Sequence, residues 1–173
     1  MENALIHRIT DCFGSLLTPI SSGSFHHFTV PEETKSFLTC FGFPPNLEET
    51  LLLHFYQNDD ALAISIHNHD RFLIIGDDDG TKLGIKENTG EVLSIDPEGK
   101  LPTRFVNSSI LTLLAFLGMY VREQPGLAQA DDEEASQIVA RMRDAFSTFD
   151  AQALDNPENW WSVVLEQVEQ GLL

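Results

Sequence analysis

Apolar positions recur at two different periods along the chain, and the change of period divides it. Leu5, Ile6, Ile9, Phe13, Leu16 and Leu17 follow helical spacing and predict a short amphipathic helix ahead of a loop rich in Ser and Gly over 18–28. Pro31 followed by Glu32 and Glu33 suits the first turn of a second helix. A proline there gives up only an N–H that would be orphaned, and the acids face the positive end of the helix dipole. Phe37, Leu38 and Phe41 form its apolar stripe, Gly42 stops it, and Pro44-Pro45 prevents its resumption.

From Leu51 the period shortens. The runs 51–56, 61–67, 71–75, 82–86 and 92–95 are short, rich in Ile, Leu and Phe, and separated by Asn, Asp and Gly, which predicts a meander of strands. Ala61, Ala63 and Ser65 alternate with Leu62, Ile64 and Ile66, and Thr89-Gly90 supplies a tight turn. Arg104-Phe105-Val106 reads as a last strand leading into Asn107-Ser108-Ser109, whose side chains can cap a helix through Tyr120 that is apolar nearly all round and therefore buried. The polar stretch 122–130 reads as a surface loop. Asp131 and Asp132 open another helix with Ile138, Met142, Ala145, Phe146 and Phe149 on its inner face; Pro157 starts the last, lined by Trp160, Trp161, Val164, Leu165 and Val168 and closed by Gly171. The class expected is α+β: a mostly antiparallel (mixed) sheet of about 5–6 strands flanked by N-terminal and C-terminal helices, as one domain over 1–173.

Charge narrows the partners. The 173 residues carry 10 Lys and Arg against 27 Asp and Glu, a net charge of −17. Such a surface repels phosphate backbones and anionic lipid headgroups, so nucleic acid and membrane are excluded as general partners and a basic protein surface is favoured, with solubility as the competing explanation. Residues 131–173 hold 10 of the acids and 2 of the bases, so the charge is distributed and not confined to one tail. Cys12 and Cys40 form no C-x-x-C pair and suit two buried thiols in a reducing compartment; an acid at position 2 argues against a secretory signal, and the apolar stretch 110–121 is too short to span a bilayer. A cytoplasmic location follows.

The candidate chemistry is sparse. Asp77-Asp78-Asp79-Gly80 has the residue types of a calcium loop, but placing Gly80 at the sixth position puts Ile75 at the first and Lys86 where a bidentate Glu belongs; Asp-Gly between strands is a hairpin turn. His67 and His69 with Asp70 lack the third or fourth ligand zinc requires, and nothing in the spacing demands His26 or His27 as the complement, so no metal and no cofactor is expected. No nucleophile elbow, phosphate loop or paired zinc-binding histidine motif occurs. An enzyme is not expected, an active site dispersed along the chain being the residual reading. Trp160 and Trp161 point about 100° apart on a helix, so one is expected to be exposed, and Trp161 among acidic neighbours is a candidate protein-binding anchor.

Three stretches taken together resemble one family. Val30-Pro31-Glu32-Glu33-Thr34 with Phe37-Leu38 and Gly42-Phe43-Pro44, then Ile75-Gly76-Asp77-Asp78-Asp79-Gly80 through Gly90-Glu91-Val92, then Phe105-Val106-Asn107-Ser108-Ser109, are similar in order and spacing to the SUKH superfamily of immunity proteins. The ending, Trp160-Trp161 to Gly171-Leu172, is most like its fourth subfamily. The resemblance spans roughly residues 29–173 and implies a bacterial protein, a monomer more than a dimer, that binds and neutralises a cognate polymorphic toxin, a nuclease or a deaminase, by covering its active site. The contact residues expected from charge are Asp77, Asp78 and Asp79 at a loop tip, Glu87 and Glu91 on the adjoining hairpin, and Trp161. The alternative is an acidic secretion chaperone that binds an effector's N-terminal segment.

Overall fold

The structure is a computed structural model and describes residues 2–44, 47, 51–57, 62–78 and 80–173. Among the described residues, two helices come first, α1 (Glu2–Phe13) and α2 (Glu32–Cys40), and six strands follow: β1 (Leu53–Phe55), β2 (Ala63–His67), β3 (Asp70–Asp78), β4 (Thr81–Lys86), β5 (Val92–Ile95) and β6 (Arg104–Asn107). Three helices complete the chain, α3 (Ile110–Leu127), α4 (Asp132–Asp150) and α5 (Trp160–Glu169). The α+β expectation holds, with every strand pairing antiparallel.

One edge of β3 carries two strands in succession. β1 pairs with its C-terminal part (Leu53↔Asp78, Phe55↔Gly76) and β2 with its N-terminal part (Ala63↔Ile74, His67↔Asp70), while β4, β5 and β6 follow in order on the other side. Gly76 permits the β1 contact, because a Cβ there would lie 2.2 Å from the His54 carbonyl oxygen. Leu73, Ile75, Leu83, Ile85, Val92 and Val106 face the helices and belong to the main core; Phe72, Ile74 and Ile95 point the other way and form a small cluster with Tyr56 and Leu93. Alternation at period 2 is what lets one sheet supply both.

α3 is the central helix. Ile110, Leu113, Leu114, Phe116, Leu117 and Tyr120 are fully buried, and Phe116 stacks on Phe146 of α4 with ring centroids 3.9 Å apart. Each such side chain contributes about 1.5–3 kcal/mol by leaving water. Ser109 caps α3 by accepting from the Thr112 N–H, and Asp131 caps α4 in the same way with Glu134. Gly42, at φ 82°, ends α2; a Cβ there would lie 1.6 Å from the Thr18 carbonyl oxygen, where 18 and 43 exchange backbone hydrogen bonds.

Four local expectations are corrected. The stretch 122–130 is helix as far as Leu127, since Arg122, Glu123 and Gln124 are good helix formers and Pro125 falls in the last turn, where its missing N–H forfeits a single bond. α5 starts at Trp160 rather than at Pro157, which sits in a turn ahead of it. β2 buries neither face, leaving Ile64 and Ile66 exposed, because it lies at the sheet edge beyond the helical layer. Cys40 ends α2 exposed, and Cys12 is half-buried against Gly118.

Candidate partner-binding surface

The β3–β4 hairpin is a tight one: Asp78 pairs with Thr81, and Gly80 takes φ 102° in the loop between them. Asp79 lies outside the described residues. Asp77 and Asp78 alternate across the strand and therefore part company. Asp77 faces the smaller cluster, where its carboxylate is 3.6 Å from the Lys82 ammonium. Lys82 also donates to the Tyr56 hydroxyl at 2.9 Å, and that hydrogen bond, opposed by burial and reinforced by Asp77, holds the ammonium's pKa above its ordinary value. Asp78 faces the helices and accepts from the Trp160 indole N–H at 2.6 Å.

Glu87 and Glu91 do not join them. They sit in the β4–β5 turn, at the opposite end of a six-residue strand and so roughly 15–20 Å away. Glu87 is taken up structurally: both of its oxygens accept from Arg71 Nη1, at 2.7 and 2.9 Å, and it accepts the Thr29 N–H, while Arg71 also donates to the His27 carbonyl. This clamps the 27–29 loop to the turn. Glu91 accepts from the Thr89 hydroxyl within the turn itself.

The exposed tryptophan expected at position 161 is also corrected. Trp161 has no exposed surface, because α5 is covered on both of the faces its two tryptophans occupy; its ring packs edge-on against Phe146 and Phe116, and its indole donates to the Asn107 side-chain oxygen at 2.8 Å. Asn107 in turn belongs to a buried hub. The Asp150 carboxylate at the end of α4 accepts from Asn107 Nδ2, from the Ser108 N–H and hydroxyl, and from the Thr112 hydroxyl, at 2.7–3.1 Å. The strand-to-helix motif thus ties together β6, α3, α4 and α5.

The end of the sheet that holds Asp77 and Asp78 has a second character that periodicity did not reveal. β1 and β6 begin there, β5 leaves, and α5 runs past, enclosing a cleft of about 310 Å³ with Trp160 and Val164 among its walls. Leu52, Leu101, Leu172 and Leu173 also line it, and all four are exposed. Leu101 is held at the lip by Asp96, whose carboxylate accepts the N–H groups of Glu98, Lys100 and Leu101 at 2.7–2.9 Å. These bonds, with that from Glu98 foremost, keep the Asp96 carboxyl below its ordinary pKa. The available signal was weak: Leu52 falls inside the run 51–56 read as a strand, and Leu101, Leu172 and Leu173 fall outside any periodic run.

The fold and this surface define a class: an α+β protein in which acidic and apolar side chains gather at one end of an antiparallel sheet. The model of the SUKH-4 immunity protein family matches residues 8–167, and the chain belongs to that family. The match begins within α1, so it takes in the segment before Thr29 that the three motifs left out. No curated protein and no solved structure matches the chain. Among the described residues, no helix is long and apolar enough to cross a membrane.

Proposed function

We propose that this SUKH-4 immunity protein binds a cognate toxin that acts on nucleic acid, a nuclease or a deaminase, in the cytoplasm of the producing cell, and that it inhibits by occlusion. The observation that carries the proposal is the acid at the hairpin end: Asp77 and Asp78 stand at the β3–β4 tip beside α5, within a chain of net charge −17. A toxin that handles nucleic acid presents a basic cleft. A preformed acidic surface is steered to such a cleft faster than an uncharged one and competes there with the phosphate backbone. Inhibition then needs no chemistry from the immunity protein, and one copy of the chain suffices for one toxin.

The test pairs the chain with the C-terminal domain of the toxin encoded by the adjacent gene. Co-expression should restore growth, and association of the purified proteins should slow as salt rises. Replacing Asp77→Asn and Asp78→Asn together should slow association several-fold at low salt and flatten its salt dependence, because Asn keeps an acceptor for Trp160 while removing the charge. Unchanged association would take the hairpin acids out of the interface. Binding to an effector's N-terminal segment in place of its toxin domain would overturn the immunity reading and make the chain a chaperone.

A further inference from the structure

Among the described residues seven large apolar side chains are exposed, and four of them, Leu52, Leu101, Leu172 and Leu173, line the one cleft at the acidic end. Scattered exposed leucines are ordinary; four converging on a concavity are the mark of a binding surface. Leu52 adds an independent observation. Its φ is 55°, a conformation that a leucine rarely adopts and that a glycine would take freely, and its side chain is half in water. The strain therefore holds an apolar group out at the lip, where it adds nothing to the core. Asp96 holds Leu101 out on the other side through three backbone hydrogen bonds.

The charge of the chain, more than that of the cleft lining, says what should enter it. Two charged side chains line the cleft, Asp78, which is engaged by Trp160, and Arg104, so the lining itself is close to balanced and the excess of acid belongs to the chain as a whole. A second copy of the chain would bring a net −17 against −17, so self-association is disfavoured and a basic surface is favoured. The volume, about 310 Å³, is at the low end of the range for ligand pockets and suits one large side chain. We propose that the cleft receives a single aromatic or long aliphatic side chain projecting from the basic surface of the toxin, and that this anchor, more than the acids, sets how long the complex lasts. The proposal rests on the immunity reading for its partner and divides the labour of the interface: charge governs the rate of encounter and the cleft governs the rate of escape.

The test uses the full chain and two variants, Leu52→Gly and Leu101→Ser. Leu52→Gly relieves the strained backbone, so its melting temperature should be equal to or above that of the wild type, while dissociation from the toxin domain speeds up tenfold or more and association is little changed. Leu101→Ser should do the same to dissociation. Equal dissociation rates for wild type and both variants would overturn the cleft proposal while leaving the immunity reading intact; failure of the wild type to bind the toxin domain would overturn that reading instead. A second measurement does not need the toxin. N-acetyl-arginyl-phenylalanyl-arginine amide, titrated into ¹⁵N-labelled protein, should shift the Trp160 indole and the amides of Leu101, Val163 and Gln167, and the alanine counterpart of the peptide should shift them several-fold less. Equal response to the two peptides, shifts confined elsewhere, or a wild-type dimer that Leu52→Gly dissolves would each overturn the assignment.

Discussion

Two regions of this protein use carboxylates in opposite ways. At the junction of β6 and α3, Asp150 is 6 % exposed and its oxygens accept from four donors on three residues, so the acid is part of the architecture. At the tip of the β3–β4 hairpin, Asp77 and Asp78 are only half-buried, and their partners include long side chains at the surface or beside the cleft, Lys82 and Trp160. In sequence the two motifs look alike, each being a cluster of small polar residues at the end of a strand. What separates them is burial: a carboxylate taken out of water must be fully hydrogen-bonded, whereas one at a loop tip stays partly in water and its charge still acts on an approaching partner.

Removing the architectural acid should therefore have the largest effect on folding and the most indirect effect on binding. Asp150→Ala leaves the Asn107 amide and the Ser108 N–H without their acceptor, each an unsatisfied group that costs about 1–3 kcal/mol, and a total near 3–5 kcal/mol is expected. Urea denaturation gives the number. A loss below about 1 kcal/mol would mean that water or a rearranged Ser108 replaces the carboxylate, and the contrast between the two regions would dissolve.

Glu87 is the intermediate case, charged and near the surface yet engaged. Its side chain is 16 % exposed and chelates Arg71, whose own side chain is 40 % exposed, so the pair is partly screened and is expected to contribute about 1 kcal/mol. Glu87→Gln should lower stability by that amount while leaving association with the toxin unchanged. The reverse outcome, stability kept and association slowed, would put the far turn back into the interface.

Asp96 is an engaged carboxylate whose effect depends on pH. Its folded pKa is depressed below the ordinary 3.8 by the N–H groups of Glu98, Leu101 and Lys100, so the stability it contributes is complete above about pH 4 and is lost as the pH falls through the lower, folded value. Asp96→Asn should therefore flatten part of the acid limb of a stability profile below pH 4. It should also loosen Leu101, read as faster escape from the toxin near neutral pH. An unchanged acid limb would show that the three N–H groups are satisfied equally well by water.

Much of the frame was legible because local chemistry dictates it. Gly42 and the Asp-Gly and Thr-Gly turns punctuate the chain where the backbone turns, and the all-apolar circumference of 110–120 marks the buried helix. What was not legible depends on residues far apart. That β1 and β2 share one edge of β3 follows from a pairing register no single segment encodes, and the phase of α5 separates Trp160 from Trp161 without saying that helices and sheet cover both. The cleft is the extreme case, assembled from positions 52, 101 and 172–173, which no single segment brings together. The loop-tip position of Asp77 and Asp78 was visible in the sequence, but the separation of Glu87 and Glu91 from them, at the far end of β4, was not.

The smallest expected effect belongs to that far turn. Glu91 lies in the β4–β5 turn with Glu87, half-buried, its carboxylate engaged by the Thr89 hydroxyl. On charge alone it belongs with Asp77, since both are acids on neighbouring hairpins of the same sheet. On position it does not, because a screened charge roughly 15–20 Å from the tip is beyond a Debye length of about 8–10 Å at physiological salt. Glu91→Gln should therefore change the association rate at physiological ionic strength by less than about twofold, against the several-fold slowing expected for the paired change at Asp77 and Asp78. Stopped-flow association with the toxin domain at two salt concentrations measures both. Equal slowing by the two substitutions would mean that the toxin senses the total charge of the chain, and the hairpin end would lose its claim to be the docking end.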